Sequence, residues 1–378
     1  MTRRTLPFRA SIAGLALAAS GSPPAAAGPM LWQTNSESND IHVFDLESRT
    51  LVRRLVVGPE PHGIAAPADT RVVYVSLESN GLARGELLWI DPRHYIIEHR
   101  MELCREPHAL ATTPDGRWIY VPCRDEHYWV VDANERTVVE RIHTGGRPHN
   151  TQISRDGRIA ILSPMGAQSR VTIVDVEAGH EVVGEIAFAA SARPSALSDD
   201  GRLFHHVDGL NGFQVADVSR REVVATVDHH TSLGWFLAHP KLGWLGTSGL
   251  QRCHGLAIRP DQREIWSACG ASVTIHEITG SSYRELARVA LESRAYWLTF
   301  SPDGRWALVA LSGANRVAVI DTESRQVVAH LPTGAGPKRN LVIELDPRSP
   351  PTRTRREPRP RGHVPARRWD GRKGGCDA

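Results

Sequence analysis

Pro107-His108-Ala109-Leu110-Ala111-Thr112-Thr113-Pro114-Asp115-Gly116-Arg117-Trp118-Ile119-Tyr120-Val121 is an apolar run, a tight turn and an alternating run in succession. Asp115-Gly116 tolerates positive φ, so the stretch predicts two antiparallel strands joined by a hairpin. Degenerate copies of it return every forty-odd residues. Aligned on the turn Asp, each copy has an anchor residue seven positions earlier: His62 with Asp69, His108 with Asp115, His149 with Asp156, Arg193 with Asp200, His254 with Asp261 and Tyr296 with Asp303. Lys338, ahead of Leu341-Val342-Ile343-Glu344-Leu345, is a seventh and weaker copy.

Between anchors lies a second hairpin, marked by an alternating strand that ends in an acid: Asp45, Asp91, Asp132, Asp175, Asp217, Glu277 and Asp321. An acid there can cap the following turn through its own side chain. Each repeat therefore has four strands, A to D from the anchor outward, and four-stranded units at this period predict an all-β propeller of antiparallel blades. The first C–D hairpin, 41–57, precedes the first anchor, while the last A strand, 340–345, has nothing after it. The run from Leu31 and the C-terminal strand must then complete one blade together. That makes seven blades, closed by three strands from one end and one from the other, with no exposed sheet edges between the ends.

The spacing of the turn acids from Asp69 to Asp303 is 46, 41, 44, 61 and 42 residues. The long repeat carries an insertion with Trp235, Phe236, His239 and Trp244 in a D-to-A connection, on the same edge of the disc as the anchors. It is expected to fold over the channel mouth as a lid, bringing His229, His230 and His239 with it.

The ends read differently from the body. Residues 1–27 have a basic start, an apolar Ile12–Ala19 core and Ala25-Ala26-Ala27 before Gly28, the pattern of a secretory signal peptide. Thr2-Arg3-Arg4 also resembles a twin-arginine signal, although Pro7 stands where lysine is usual. A periplasmic or secreted protein is expected, with a propeller over 28–346. No later apolar run is long enough to span a membrane. Residues 347–378 hold nine Arg and one Lys against three acids, a net +7, and Arg3, Arg4 and Arg9 add +3. Of the formal +3, the body therefore holds about −7, so the basic balance belongs to the ends. The tail reads as a disordered Arg/Pro-rich appendage, and the body offers no basic face for nucleic acid.

With Pro-His at the anchor, Pro-Asp-Gly-Arg at the turn and Tyr120-Val121 in strand B, the repeats resemble those of the YVTN-type β-propeller family of exported proteins. Trp32-Gln33-Thr34-Asn35 is a worn copy of that family's name motif. The resemblance spans roughly 31–346 and implies the fold. It leaves function open, because the repeat serves binding proteins, surface-layer proteins and propeller parts of cofactor enzymes alike. Arg193, Tyr296 and Lys338 depart from the family's histidine at the anchor.

The anchors His62, His108, His149, Arg193, His254, Tyr296 and Lys338 should ring one mouth of the central channel and are the candidate ligand-binding residues. Histidines there can instead be structural, bonding a neighbouring blade's backbone. His205 and His206 are expected to alternate on strand B with one of them buried. If a two-residue turn closes each A–B hairpin, facing residues sum to 231 around Asp115-Gly116 and to 523 around Asp261-Gln262, which sets Cys123 opposite His108 and Cys269 opposite His254. His108, Cys123, His254 and Cys269 are then candidate ligands for copper or zinc. The favoured reading of these cysteines in an oxidising compartment is nevertheless two disulfides, Cys104 with Cys123 and Cys253 with Cys269, although Cys253, next to His254, would point to the opposite face of an extended strand, and Cys376 is left unpaired in the tail. There is no C-x-x-C-H, which rules out covalent c-type haem on motif grounds, and no H-E-x-x-H. Loop residues Glu78, Arg124, Asp125, Glu126 and Asp208 are available as acids or bases, although such charges are usually solvated.

The leading expectation is a binding protein that takes a partner or small ligand at its histidine-lined mouth without chemistry of its own. A metal- or cofactor-dependent periplasmic redox protein with Cys/His ligands is the alternative. A lactonase-like hydrolase comes third.

Overall fold

The computed structural model describes residues 28–79, 84–229 and 253–345. The expected leader, the insertion residues His230, Trp235, Phe236, His239 and Trp244, and the C-terminal tail with Cys376 lie outside the described residues.

Seven four-stranded antiparallel sheets make up the described residues, as the repeat predicts. Blades 2 to 7 occupy 61–105, 111–143, 147–187, 192–228, 253–290 and 295–332. Blade 1 is composite, with Met30–Asn35, Asp40–Asp45 and Thr50–Val56 as strands B, C and D and Pro337–Ile343 as strand A. The joint between the two chain ends is buried and specific. Thr34 Oγ1 and Gln33 Nε2 both donate to the Arg339 carbonyl at 3.0 Å, and the Arg339 N–H returns a bond to Thr34 Oγ1 at 3.0 Å.

Both predicted turns appear with their chemistry. Asp115 Oδ1 accepts from the Arg117 N–H at 3.0 Å, and Asp156 and Asp303 do the same in their blades. Gly116 sits at φ 71°, and Gln262, which replaces glycine in blade 6, is held at φ 62°. The loop is longer than the two residues expected. The Thr113 N–H donates to the Trp118 carbonyl, so 114–117 form the turn. Because the extra residues extend both arms equally, the pairing sum of 231 survives as Ala111 with Tyr120 and Thr112 with Ile119. In the second hairpin, Asp45, Asp132, Asp175 and Asp321 accept N–H groups two to three residues ahead at 2.7–2.9 Å.

Seven apolar clusters sit one at each blade interface, including Tyr120, Tyr128, Val130, Leu162 and Val174 between blades 3 and 4. Blades thus cover both faces of one another's strands B and C. This corrects the expectation for His205 and His206: both are buried, at 0% and 2% exposure. His205 Nε2 meets Ser163 Oγ of blade 4 at 2.9 Å, and His206 Nε2 lies 3.2 Å from the Gly255 carbonyl of blade 6.

Candidate functional site

The A strands bring their anchors to the channel axis. Ring centroids run His62 to His108 at 3.9 Å, His108 to His149 at 4.2 Å, His149 to His254 at 6.1 Å and His254 to Tyr296 at 4.0 Å, and Tyr296 returns to His62 at 6.2 Å. Five anchors form a closed circuit of rings. Lys338 Nζ sits 4.7 Å over Tyr296, and the charge of Arg193 reaches His149 and His254. All seven sequence-predicted ligand-binding residues therefore converge.

A glycine makes the tightest contact feasible. A Cβ on Gly63 would fall 2.4 Å from the His108 carbonyl, so only glycine lets the backbone behind His62 approach that of His108. Ser76 Oγ seals the junction, accepting from the Gly63 N–H at 2.9 Å and donating to the His108 carbonyl at 2.6 Å. Two residues on, Glu78 reaches back over the pair. Its Oε1 lies 2.5 Å from His108 Nδ1 and 3.3 Å from His62 Nδ1. These are close approaches without hydrogen-bond angles: both Nδ1 atoms and His62 Nε2 have no hydrogen-bond partner among the described residues, although they are buried.

Glu78 is a partly buried carboxylate set between two imidazoles. Burial opposes ionisation of Glu78, but the imidazoles of His62 and His108 outweigh it and hold the carboxyl well below its usual range. Burial pushes His62 down to about 3, partly offset by Glu78, so its ring is neutral at pH 7. His149 and His254 are likewise held well below the usual imidazole range, by burial first and then by neighbouring positive charge, including that of Arg339. His254 Nδ1 donates to the Tyr296 carbonyl at 3.0 Å and His149 Nδ1 bonds Asn150 Oδ1, which leaves Nε2 as the lone-pair atom on both rings. One ligand atom from each of His62, Glu78 and His108 falls within 4.8 Å of the others, which makes the three a candidate metal-ligand set.

The cysteines behave differently. Cys104 is joined to Cys123 and Cys253 to Cys269. This corrects the assignment of Cys123 and Cys269 as metal partners of His108 and His254, since neither sulfur is a thiolate. The physical reason in blade 6 is a β-bulge between Cys253 and Gly255: pairing follows the sum 523 up to Gly255 with Ala268 and then slips, so that Cys253 rather than His254 faces Cys269. In blade 3 the sulfur of Cys123 is taken by Cys104, at the end of blade 2's strand D, which makes that disulfide an inter-blade tie. His229 does not join the anchor ring. It stacks on His276 at 5.0 Å and approaches Cys269 Sγ at 3.6 Å.

Other loop charges are solvated, as expected. Arg124 pairs with Glu106, Asp125 accepts from Trp129 Nε1 at 3.0 Å and Glu126 meets His143 at 3.4 Å, all at the surface. Sequence reasoning named Glu78 only as one more such acid. It also missed Arg339, whose signal was a charged residue within an otherwise uncharged set of positions following the anchors.

A cavity of about 310 Å³ lies on the axis directly below the anchor ring. Its walls are the residues after each anchor, and Gln262 extends it to the face of the A–B turns.

At the level of sequence, no family model and no curated protein matches the chain. Solved structures do match in shape. They include a functionally unknown protein from Desulfotomaculum acetoxidans (10% identity, 84% of this chain and 99% of that one, TM-score 0.70). A periplasmic gluconolactonase of Pseudomonas aeruginosa matches at 15% identity, with 84% and 99% covered and a TM-score of 0.66. Hydrazine synthase of Kuenenia stuttgartiensis matches at 19%, with 75% and 95% covered and a TM-score of 0.63. At these identities the likeness carries the fold alone.

Proposed function

We propose that this chain is an exported, metal-binding β-propeller that holds one zinc or copper(II) ion on His62, Glu78 and His108 at its channel mouth, with His149 beside them. The observation that carries this reading is the convergence of one ligand atom each from His62, Glu78 and His108 at the mouth of the channel. Two imidazoles and a carboxylate suit zinc or copper(II), whereas a soft Cys-based site is removed by the disulfides. Three protein donors leave a four-coordinate ion one position for a ligand arriving from the mouth. Lys338, Tyr296 and Arg193 stand around that approach and favour an electron-rich ligand. The test is calorimetric titration of chelator-stripped protein with zinc: one equivalent should bind, and Glu78→Ala should weaken it at least tenfold. Equal affinity in that variant contradicts the reading.

Hydrolysis of a lactone or ester is the second reading, favoured by the pairing of the Glu78 carboxylate with the His108 imidazole at 2.5 Å, an acid–base couple at the mouth. Two neighbours are a periplasmic gluconolactonase and a putative 6-phosphogluconolactonase from Bacteroides fragilis. A panel of aldonolactones assayed with and without zinc tests it, and no turnover in either state excludes it.

A further inference from the structure

Arg339 is the most unusual residue in the channel. It follows the anchor Lys338 on strand A of blade 1, and it is only 6% exposed. Its guanidinium lies 3.5 Å over the ring of Trp297, which fixes its plane, yet Nε and Nη2 have no hydrogen-bond partner among the described residues. No carboxylate forms an ion pair with it there. Tyr296 and Glu78 act on its charge from a distance, and neither makes a hydrogen bond or ion pair with it among the described residues. Buried guanidinium N–H groups without an acceptor are unfavourable, and an anion that meets them offsets that cost.

The surroundings are built for donation. Arg339 lines the axial cavity of about 310 Å³ together with Thr151 and Ser195, whose buried hydroxyls also lack a partner among the described residues. His149 and His254 above are neutral, so they neither compensate nor block an anion, and Arg193 adds a second positive charge near the same axis. A planar guanidinium presents a fork of N–H groups matched to two oxygens of a carboxylate, sulfate or phosphate.

We infer that the channel below the imidazole ring is a binding site for a small oxyanion, received by the Arg339 guanidinium and the hydroxyls of Thr151 and Ser195. The cavity reaches the face of the A–B turns through Gln262, so the anion enters from the side opposite the anchors. The site therefore stands apart from the metal reading and does not rest on it.

Calorimetric titration of metal-stripped protein with sodium sulfate and, separately, with disodium succinate, at constant ionic strength, tests this. Saturable binding of either is expected, with sulfate pointing to an inorganic anion and succinate to a carboxylate. Arg339→Gln should weaken it about thirtyfold or more, the loss of a charge-assisted pair. No saturable binding of either anion by the wild type, or unchanged affinity in Arg339→Gln, overturns the inference. Should that variant fail to fold, Thr151→Val and Ser195→Ala keep the charge, and each should weaken binding about threefold to tenfold. Unchanged affinity in both would also overturn it.

Discussion

Acidification from about pH 7.5 to about pH 5.5 should destabilise the apo protein steeply, because the blades bury neutral histidines. Burial pushes His205 down to about 3, with the neighbouring His206 adding to the shift. Burial likewise pushes His206 and His276 down to about 4. In the unfolded chain each returns to an ordinary value near 6.5. Between 6.5 and the folded values the unfolded chain binds more protons, so stability is complete above pH 6.5 and falls as the pH drops. One pH unit below 6.5, each such ring costs about 1.4 kcal/mol and these three together about 4 kcal/mol, to which the buried His62, His149 and His254 add in the same direction. Against a total stability of about 5–15 kcal/mol this is a large fraction, and for a body of this size it lowers Tm by at least about 6 °C. Thermal and urea melts at the two pH values measure it. His205→Asn keeps a partner for Ser163 but removes one titrating ring, so its pH-induced loss should be smaller by about 1.4 kcal/mol. A flat profile across this range, or an undiminished loss in His205→Asn, would refute the reasoning.

Deleting 31–57 should strip three strands from blade 1, expose the apolar edges of blades 2 and 7 and give aggregates in size-exclusion chromatography, whereas deleting 347–378 should leave Tm unchanged. Replacing Cys104 and Cys123 together by Ser opens a loop of 19 residues and unties blade 2 from blade 3. The expected loss is about 3 kcal/mol in urea melts, and non-reducing peptide mapping of the wild type should recover the cross-link. Asp156→Ala, which removes the carboxylate that accepts the Arg158 N–H and Ser154 hydroxyl in the blade 4 turn, should lower Tm without changing zinc affinity.

The architecture was legible because it is repeated. The Asp-Gly turns, the capping acids and the spacing of the anchors place every blade, and the unmatched strands at the two ends identify the joint that Thr34 and Arg339 make. Pairing within a blade was legible to within one residue, and that residue mattered. The bulge at His254 turns Cys253 toward Cys269, and no local feature of Cys253-His254-Gly255 announces it. Burial of both His205 and His206 depends on blades 4 and 6 closing over opposite faces of one strand, which alternation within blade 5 cannot express. Glu78 looked like one of several loop acids because its partners are 16 residues behind and 30 ahead in the chain. Only the packing of Gly63 against the His108 carbonyl brings those imidazoles together beneath it.

Anomalous diffraction at the zinc edge, from crystals of the protein grown with zinc, tests the central claim most directly. One strong peak should lie about 2.0–2.2 Å from a nitrogen of His62, a nitrogen of His108 and a carboxylate oxygen of Glu78. A peak at other residues, or none at this mouth at full zinc occupancy of the solution, would contradict it.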